Sequence, residues 1–276
     1  MCTPFSRILH AYFKKSSQNE FKLKDTVSLR SLYIAFCKII FGISEQKEDE
    51  RMEPIQFRHE YKHSISYADA VAIRSRALAV MKHDEHAGPS GLYFIRSLYF
   101  DNFDDKALRE KIDGVSRREK FRIRFYNGDT SFIRLEKKIR VNGLCAKLEA
   151  PVTKEQCEAL LRGETDWTKH PGEPLLEELH AKMQTQQLRP KTIVDYQREP
   201  FIYLPGNVRV TIDFNIRSGL RACDLFDFSA PTVCVGSDRI LEVKYDAFLP
   251  DVIRDIVQMS NRKTNAYSKY AACRTF

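Results

Sequence analysis

Apolar and polar residues alternate strictly along several stretches of the chain, and in most of them the polar side carries charge. In Lys120–Tyr126, Phe121, Ile123 and Phe125 share one side of a strand, while Lys120, Arg122, Arg124 and Tyr126 share the other. The next run repeats the pattern, with Arg134, Glu136, Lys138 and Arg140 on one side and Phe132, Ile133 and Leu135 as apolar weight. Asn127-Gly128-Asp129 between them is a hairpin turn signal. Alternation returns in Phe57–His63 with Arg58, Glu60 and Lys62, and near Val194, Tyr196 and Arg198. Val208–Arg217 shows it with Arg209, Thr211 and Asp213, and Ile240–Tyr245 with Glu242 and Lys244. Tyr93–Asp101 reads as an aromatic strand. Helical spacing predicts helices near 67–81, 104–111, 153–162, 175–187 and 251–259, the third opened by the capping box Thr153-Lys154-Glu155-Gln156.

Cations two positions apart on a strand lie roughly 7 Å from each other. Arg122 and Arg124 cannot shed their protons, so a bound anion or solvent must answer the repulsion. A sandwich with charge facing water is one solution. A barrel of about eight strands, closed around a polar tunnel with helices on its apolar exterior, is the other. Arginines and lysines recur at alternate positions with a few carboxylates among them, and the helices need apolar strand faces to dock on, so the pattern favours the tunnel. Such a lining suits linked phosphates, each of which takes charge-assisted donors. Carboxylates in so basic a place suit a divalent cation that shares phosphate oxygens. Glu60, Glu136 and Glu242 are the candidates. Each could instead pair with Lys62, Lys138 or Lys244 on an open surface, but the device recurs in three strands.

Composition narrows the partner. The 276 residues are 43% hydrophobic and 30% charged, with a formal net charge of +8. That balance favours an anion. Nucleic acid fits poorly, because the cations fall at inner strand positions and not on one exposed helix. Seven cysteines without a CxxC pair give no support to a zinc-ribbon or thioredoxin site, and predict reduced, mostly buried thiols in a cytoplasmic protein. No apolar run reaches the ~18 residues that span a bilayer. His83-Asp84-Glu85-His86 reads as a loop. Residues 1–51 differ in character from the rest. They read as a mobile or mispredicted extension, with Met52 opening the domain at 52–276, or as a surface amphipathic helix around Ser31–Ile43.

Glu60-x-Lys62, Ser97-Leu98-Tyr99-Phe100-Asp101, Phe121–Tyr126, Glu136-Lys137-Lys138, Tyr196-Gln197-Arg198, Leu241-Glu242-Val243-Lys244 and Tyr267-Ser268-Lys269-Tyr270 occur in that order. From about Phe57 to the C-terminus the chain resembles the VTC domain, the polyphosphate polymerase branch of the triphosphate tunnel metalloenzymes. The resemblance implies an α+β fold: a closed, antiparallel, eight-stranded barrel with helices packed outside. It also implies Mn²⁺- or Mg²⁺-dependent transfer of the γ-phosphoryl group of ATP to polyphosphate. Carried over by motif, Arg122, Arg124, Arg198, Lys138 and Tyr196 would act on the phosphates. Lys62, Arg109, Lys147, Arg209, Lys244, Ser268 and Lys269 would bind them, and Glu242 would hold the metal. Arg58 stands where the wider superfamily's Glu-x-Glu-x-Lys signature has its first Glu. Three activities stay open: an ATP-dependent polymerase, an inorganic triphosphatase on the same scaffold, and a non-catalytic polyphosphate sensor docked to a membrane-protein partner at the inner face of the membrane.

Overall fold

The alternating segments become strands and the periodic ones become helices. The computed structural model describes residues 55–169, 172–259 and 266–275; the extension at 1–51 and the Met52 start lie outside them. The strands are β1 (His59–Ile65), β2 (Lys82–His83), β3 (Tyr93–Asp101), β4 (Arg117–Tyr126), β5 (Asp129–Val141), β6 (Leu144–Val152), β7 (Arg189–Tyr203), β8 (Val208–Ser218), β9 (Val233–Cys234) and β10 (Arg239–Tyr245). The helices are α1 (Tyr67–Leu78), α2 (Lys106–Ile112), α3 (Lys154–Leu161), α4 (Pro174–Thr185), α5 (Asp251–Val257) and α6 (Lys269–Arg274). None is long and apolar enough to cross a membrane among the described residues.

Local chemistry sets several boundaries. At α3 the Thr153 hydroxyl accepts from the Gln156 N–H, while the Gln156 side chain accepts from the Thr153 N–H. Ser66 and Asp69 form the same reciprocal cap on α1. Between β4 and β5, Asn127 (φ 52°) and Gly128 (φ 75°) both take the left-handed backbone of a two-residue turn. Any other residue at Gly128 would be strained there. The Asn127 side chain accepts from the Phe94 N–H at 2.8 Å, tying the turn to β3.

One antiparallel sheet runs in the order β1-β10-β8-β7-β3-β4-β5-β6, with β2 added on β7 and β9 on β8. Its eight-strand path matches the predicted number, but the ladder does not close into the expected barrel. The edge strands meet at a single bridge, where Arg58 and Cys145 exchange two backbone hydrogen bonds of 2.8 and 2.9 Å. A row of such bonds cannot continue, because β1 runs on past the end of β6.

The outward strand faces carry two cores. Phe121, Ile123, Phe125 and Leu135 pack with Cys157 and Leu160 of α3 and Leu176 and Leu179 of α4. Val210, Ile212, Leu241 and Val243 pack with Ala70, Ile73 and Ala77 of α1 and Ile253 and Ile256 of α5. A third cluster lies on the inward side. There Ile95, Tyr99, Val194, Tyr196, Ile216 and Ile240 meet Tyr270 and Cys273 of α6. The chain beyond Ser268 is therefore a short helix covering part of the interior. Cys145, Cys157 and Cys273 are buried and free, while Cys234 is exposed. His180 on α4 is half-buried with Nδ1 at 3.0 Å from the Thr168 hydroxyl.

Candidate functional site

Strand register determines which charges meet. On β1 and β10, Lys62 lies opposite Glu242 and Glu60 opposite Lys244. Lys62 Nζ stands 3.1 Å from Glu60 and 3.2 Å from Glu242, and Lys244 stands 2.7 Å from Glu242. Lys138 reaches Glu60 from β5 at 2.5 Å. Two carboxylates and three ammonium groups thus form one buried network. Burial pushes the Glu60 and Glu242 carboxyls up, but the lysines outweigh it and hold both far below the usual range. Burial works against the Lys62 ammonium as well, and Glu242 and Glu60 overcome it.

A second group is built on guanidiniums. Arg122 lies opposite both Tyr99 and Glu136 in register. Its Nε donates to Glu136 at 2.6 Å and its Nη1 to the Tyr99 hydroxyl at 2.8 Å. Arg124 donates to the Ser97 hydroxyl at 3.0 Å and to the Tyr196 hydroxyl at 2.8 Å, and lies 3.8 Å from Glu136. Lys147 approaches the same carboxylate at 3.9 Å. Glu136 is 2% exposed and Arg124 4%, so both geometries are fixed by their surroundings. Burial raises the Glu136 carboxyl, and Arg122, Arg124 and Lys147 together drive it well below its ordinary value.

A third group joins β7, β8 and α6. Arg198 holds Asp213 in a bidentate pair at 2.6 and 2.8 Å, and Lys269 bonds to the same carboxylate. Asp213 is fully buried; against that burial Arg198 and Lys269 pull it down to about 2. Lys269 Nζ also sits 4.6 Å from the Tyr196 ring centroid. Ser268, the N-cap of α6, accepts from Lys120 at 3.3 Å.

The predicted residues thus fall into linked groups, with exceptions. Arg109 is not brought to them: it lies on exposed α2, paired with Asp104 at 3.2 Å. Arg209 points along the same strand face but pairs with Asp84 at 2.6 Å, which also places His83–His86 in a structural role. Three residues that sequence reasoning passed over belong to the site. Asp213 shares a strand side with Arg209 and Thr211, but its cationic partners are remote in the chain. Tyr99 and Lys120 form a pair, with Nζ 5.4 Å from the ring centroid. Burial lowers the Lys120 ammonium to about 7, helped by Lys138, Lys62 and Arg122. Burial would raise Tyr99, yet Arg122, Lys120 and Arg124 bring its hydroxyl down to about 7. The strict alternation that singled out Arg122 and Arg124 already placed Lys120 beside them.

The three predicted metal carboxylates do not converge. Glu60 and Glu242 share Lys62 and Lys244, while Glu136 belongs to the guanidiniums. Among the described residues no three His, Cys, Asp or Glu side chains form a closed metal site. One or two carboxylates suffice for a hard cation completed by water and substrate phosphate oxygens, and Glu60 with Glu242 fits that need.

The class is now defined: an antiparallel sheet wrapped round an interior in which lysines and arginines outnumber the carboxylates they pair with. The VTC domain family model matches residues 57–276, and the chain belongs to this family. No curated protein sequence matches it. Among solved structures, a putative adenylyl cyclase from Hippeastrum, described as revealing a dominant triphosphatase activity, is 11% identical with a TM-score of 0.45, covering 79% of this chain and 95% of that one. A putative adenylate cyclase from Bacillus halodurans is 14% identical with a TM-score of 0.42, covering 68% and 80%. Likenesses this distant do not bear on activity.

Proposed function

We propose that this chain is a metal-dependent polyphosphate polymerase that moves the γ-phosphoryl group of ATP onto a polyphosphate end. VTC family membership supports enzymatic phosphoryl chemistry. The observation that carries the reading is the pair of half-buried Arg122 and buried Arg124, held in fixed orientations by Glu136, Tyr99, Ser97 and Tyr196.

Phosphoryl transfer passes through a loose transition state, so catalysis is mostly alignment and charge neutralisation. Arg122, Arg124 and Arg198 would steady the migrating group, with Lys138 and the Tyr196 hydroxyl beside it. Lys62, Lys147, Lys244, Lys269 and Ser268 would bind the flanking phosphates. A phosphate entering this site takes guanidinium donors that Glu136 and Asp213 now occupy, so binding exchanges partners between ready-made ionic groups. Mn²⁺ or Mg²⁺, held by Glu242 and Glu60, would supply further neutralisation of phosphate oxygens. A polyphosphate end is already ionised, so no general base is required. In this reading the seam at Arg58 and Cys145 joins the sheet into a tunnel around the chain.

One observation favours a second reading, a triphosphatase. The Tyr99 hydroxyl, lowered by Arg122, Lys120 and Arg124, stands beside the guanidiniums, and in this reading it would take a proton from an attacking water. Incubation with ATP and Mn²⁺, assayed separately for chain growth and for free phosphate, decides between them. Chain growth supports the polymerase; phosphate release alone supports the hydrolase. Polyphosphate binding without either product would leave a sensor.

A further inference from the structure

The interior cations described above, Lys120 excepted, are matched by carboxylates. Next to them is a group that is not. Lys111 at the end of α2, Arg118 and Lys120 on β4 and Arg140 on β5 line a solvent-open cavity of about 50 Å³. Among the described residues none of these four takes part in an ion pair. Arg118 lies directly opposite Arg140, and Lys120 directly opposite Lys138. Like charges facing each other across strands are destabilising. Arg118 donates to the Val115 carbonyl, and Lys120 donates to Ser268. Glu119, at the cavity rim, is already held by Lys137 and Lys182. Burial and the charges of Arg118, Arg140 and Lys62 depress the Lys111 ammonium, and burial and Arg140 depress Arg118, with Cys145 and Glu110 opposing weakly. The group has the electrostatics of a site waiting for an anion.

Continuity indicates which anion. Glu60, Lys62 and Lys138 line this cavity and also belong to the carboxylate–lysine network inside. A ligand that fills both spaces must be extended and anionic along its whole length. We propose that the cavity is a vestibule that grips the part of a linear polyphosphate chain lying outside the reacting site, so that the protein prefers long chains to tripolyphosphate. This rests on the polyphosphate reading and adds chain-length selectivity to it.

The test is titration calorimetry of the full chain and of its Arg118→Gln/Arg140→Gln variant with long-chain polyphosphate and with tripolyphosphate. The wild type is expected to bind the long chain about tenfold more tightly, a difference of about 1.4 kcal/mol, and the variant to lose that advantage while keeping tripolyphosphate affinity. Equal wild-type affinity for the two ligands would overturn the vestibule. So would an equal loss of both ligands in a folded variant, because the two spaces would then be one site. Should the double variant fail to fold, Lys111→Gln on α2 takes its place, with the same selective loss expected and its absence equally decisive. A wild type that bound neither ligand would sink the polyphosphate reading itself, a result distinct from binding without length preference.

Discussion

The interior and the vestibule are both basic and share a wall, but they treat charge differently. Inside, Glu60 and Glu242 serve Lys62, Lys138 and Lys244; Glu136 serves Arg122 and Arg124, with exposed Lys147 closer to Glu149; and Asp213 serves Arg198 and Lys269. In the vestibule, Lys111, Arg118, Lys120 and Arg140 have no carboxylate partner among the described residues; Arg118 bonds only a backbone carbonyl, and Lys120 bonds Ser268 and lies over the Tyr99 ring. Compensation fixes side chains in advance and keeps the ligand-free fold stable, which suits groups that must meet a reacting phosphate in one geometry. Lack of compensation leaves net attraction and loose geometry, which suits capture. Counting cations alone would have missed the difference.

The largest effect is expected inside. Arg124→Ala should lower turnover by about 10²–10³-fold with the fold intact, as for loss of one preorganised charge stabiliser. Near-normal ATP-dependent chain growth by this variant would remove Arg124 from catalysis. Next comes Glu136→Gln, which leaves Arg122 and Arg124 buried without their carboxylate. Urea denaturation should show a loss of about 3 kcal/mol, partly restored by inorganic phosphate. Unchanged stability would mean that compensation is not what holds the interior together.

A smaller effect concerns pH. Lys120, held at about 7 by burial and by its cationic neighbours, is charged below that value and neutral above it. Its contribution to anion binding is therefore present at pH about 6 and fades by about 8.5. Lys120→Met should weaken polyphosphate binding about fivefold at the lower pH and little at the higher. The stability sign runs the other way: the unfolded chain keeps this proton up to about 10.4, so between about 7 and 10.4 the wild type gains stability as pH rises, and the variant gains less. A binding loss independent of pH would refute the titration. The smallest effect is Arg109→Ala, where both stability and turnover should move by less than about 0.5 kcal/mol.

Much of this arrangement was legible in the chain. Strands buried on one side must alternate with period two, so β4 and β5 declared both their apolar faces and their row of charges. Capping boxes at Ser66 and Thr153 depend on residues three apart and were equally visible in sequence. What depended on distant partners was not. Asp213 looks unremarkable until Arg198 and Lys269 arrive from other elements. α6 spans only six residues, and its burial of Tyr270 and Cys273 depends on strand faces far away in the chain. Arg109 was expected at the site only from the family resemblance, and a helix as short as α2 has no periodicity that could have shown its exposed side. Ring closure depends on the cumulative stagger of eight strands, which no local pattern encodes.

That stagger gives the seam a particular character. Beyond the two amide bonds of Arg58 and Cys145, β1 is also tied across the seam by Glu60, whose carboxylate bonds Lys138 on β5, the strand next to the β6 edge. One side chain is thus both latch and lining. A ligand or cation that took Glu60 from Lys138 would compete with that tie, so protection of the amide hydrogens of Arg58 and Cys145 against exchange is the readout of whether filling the interior loosens the join.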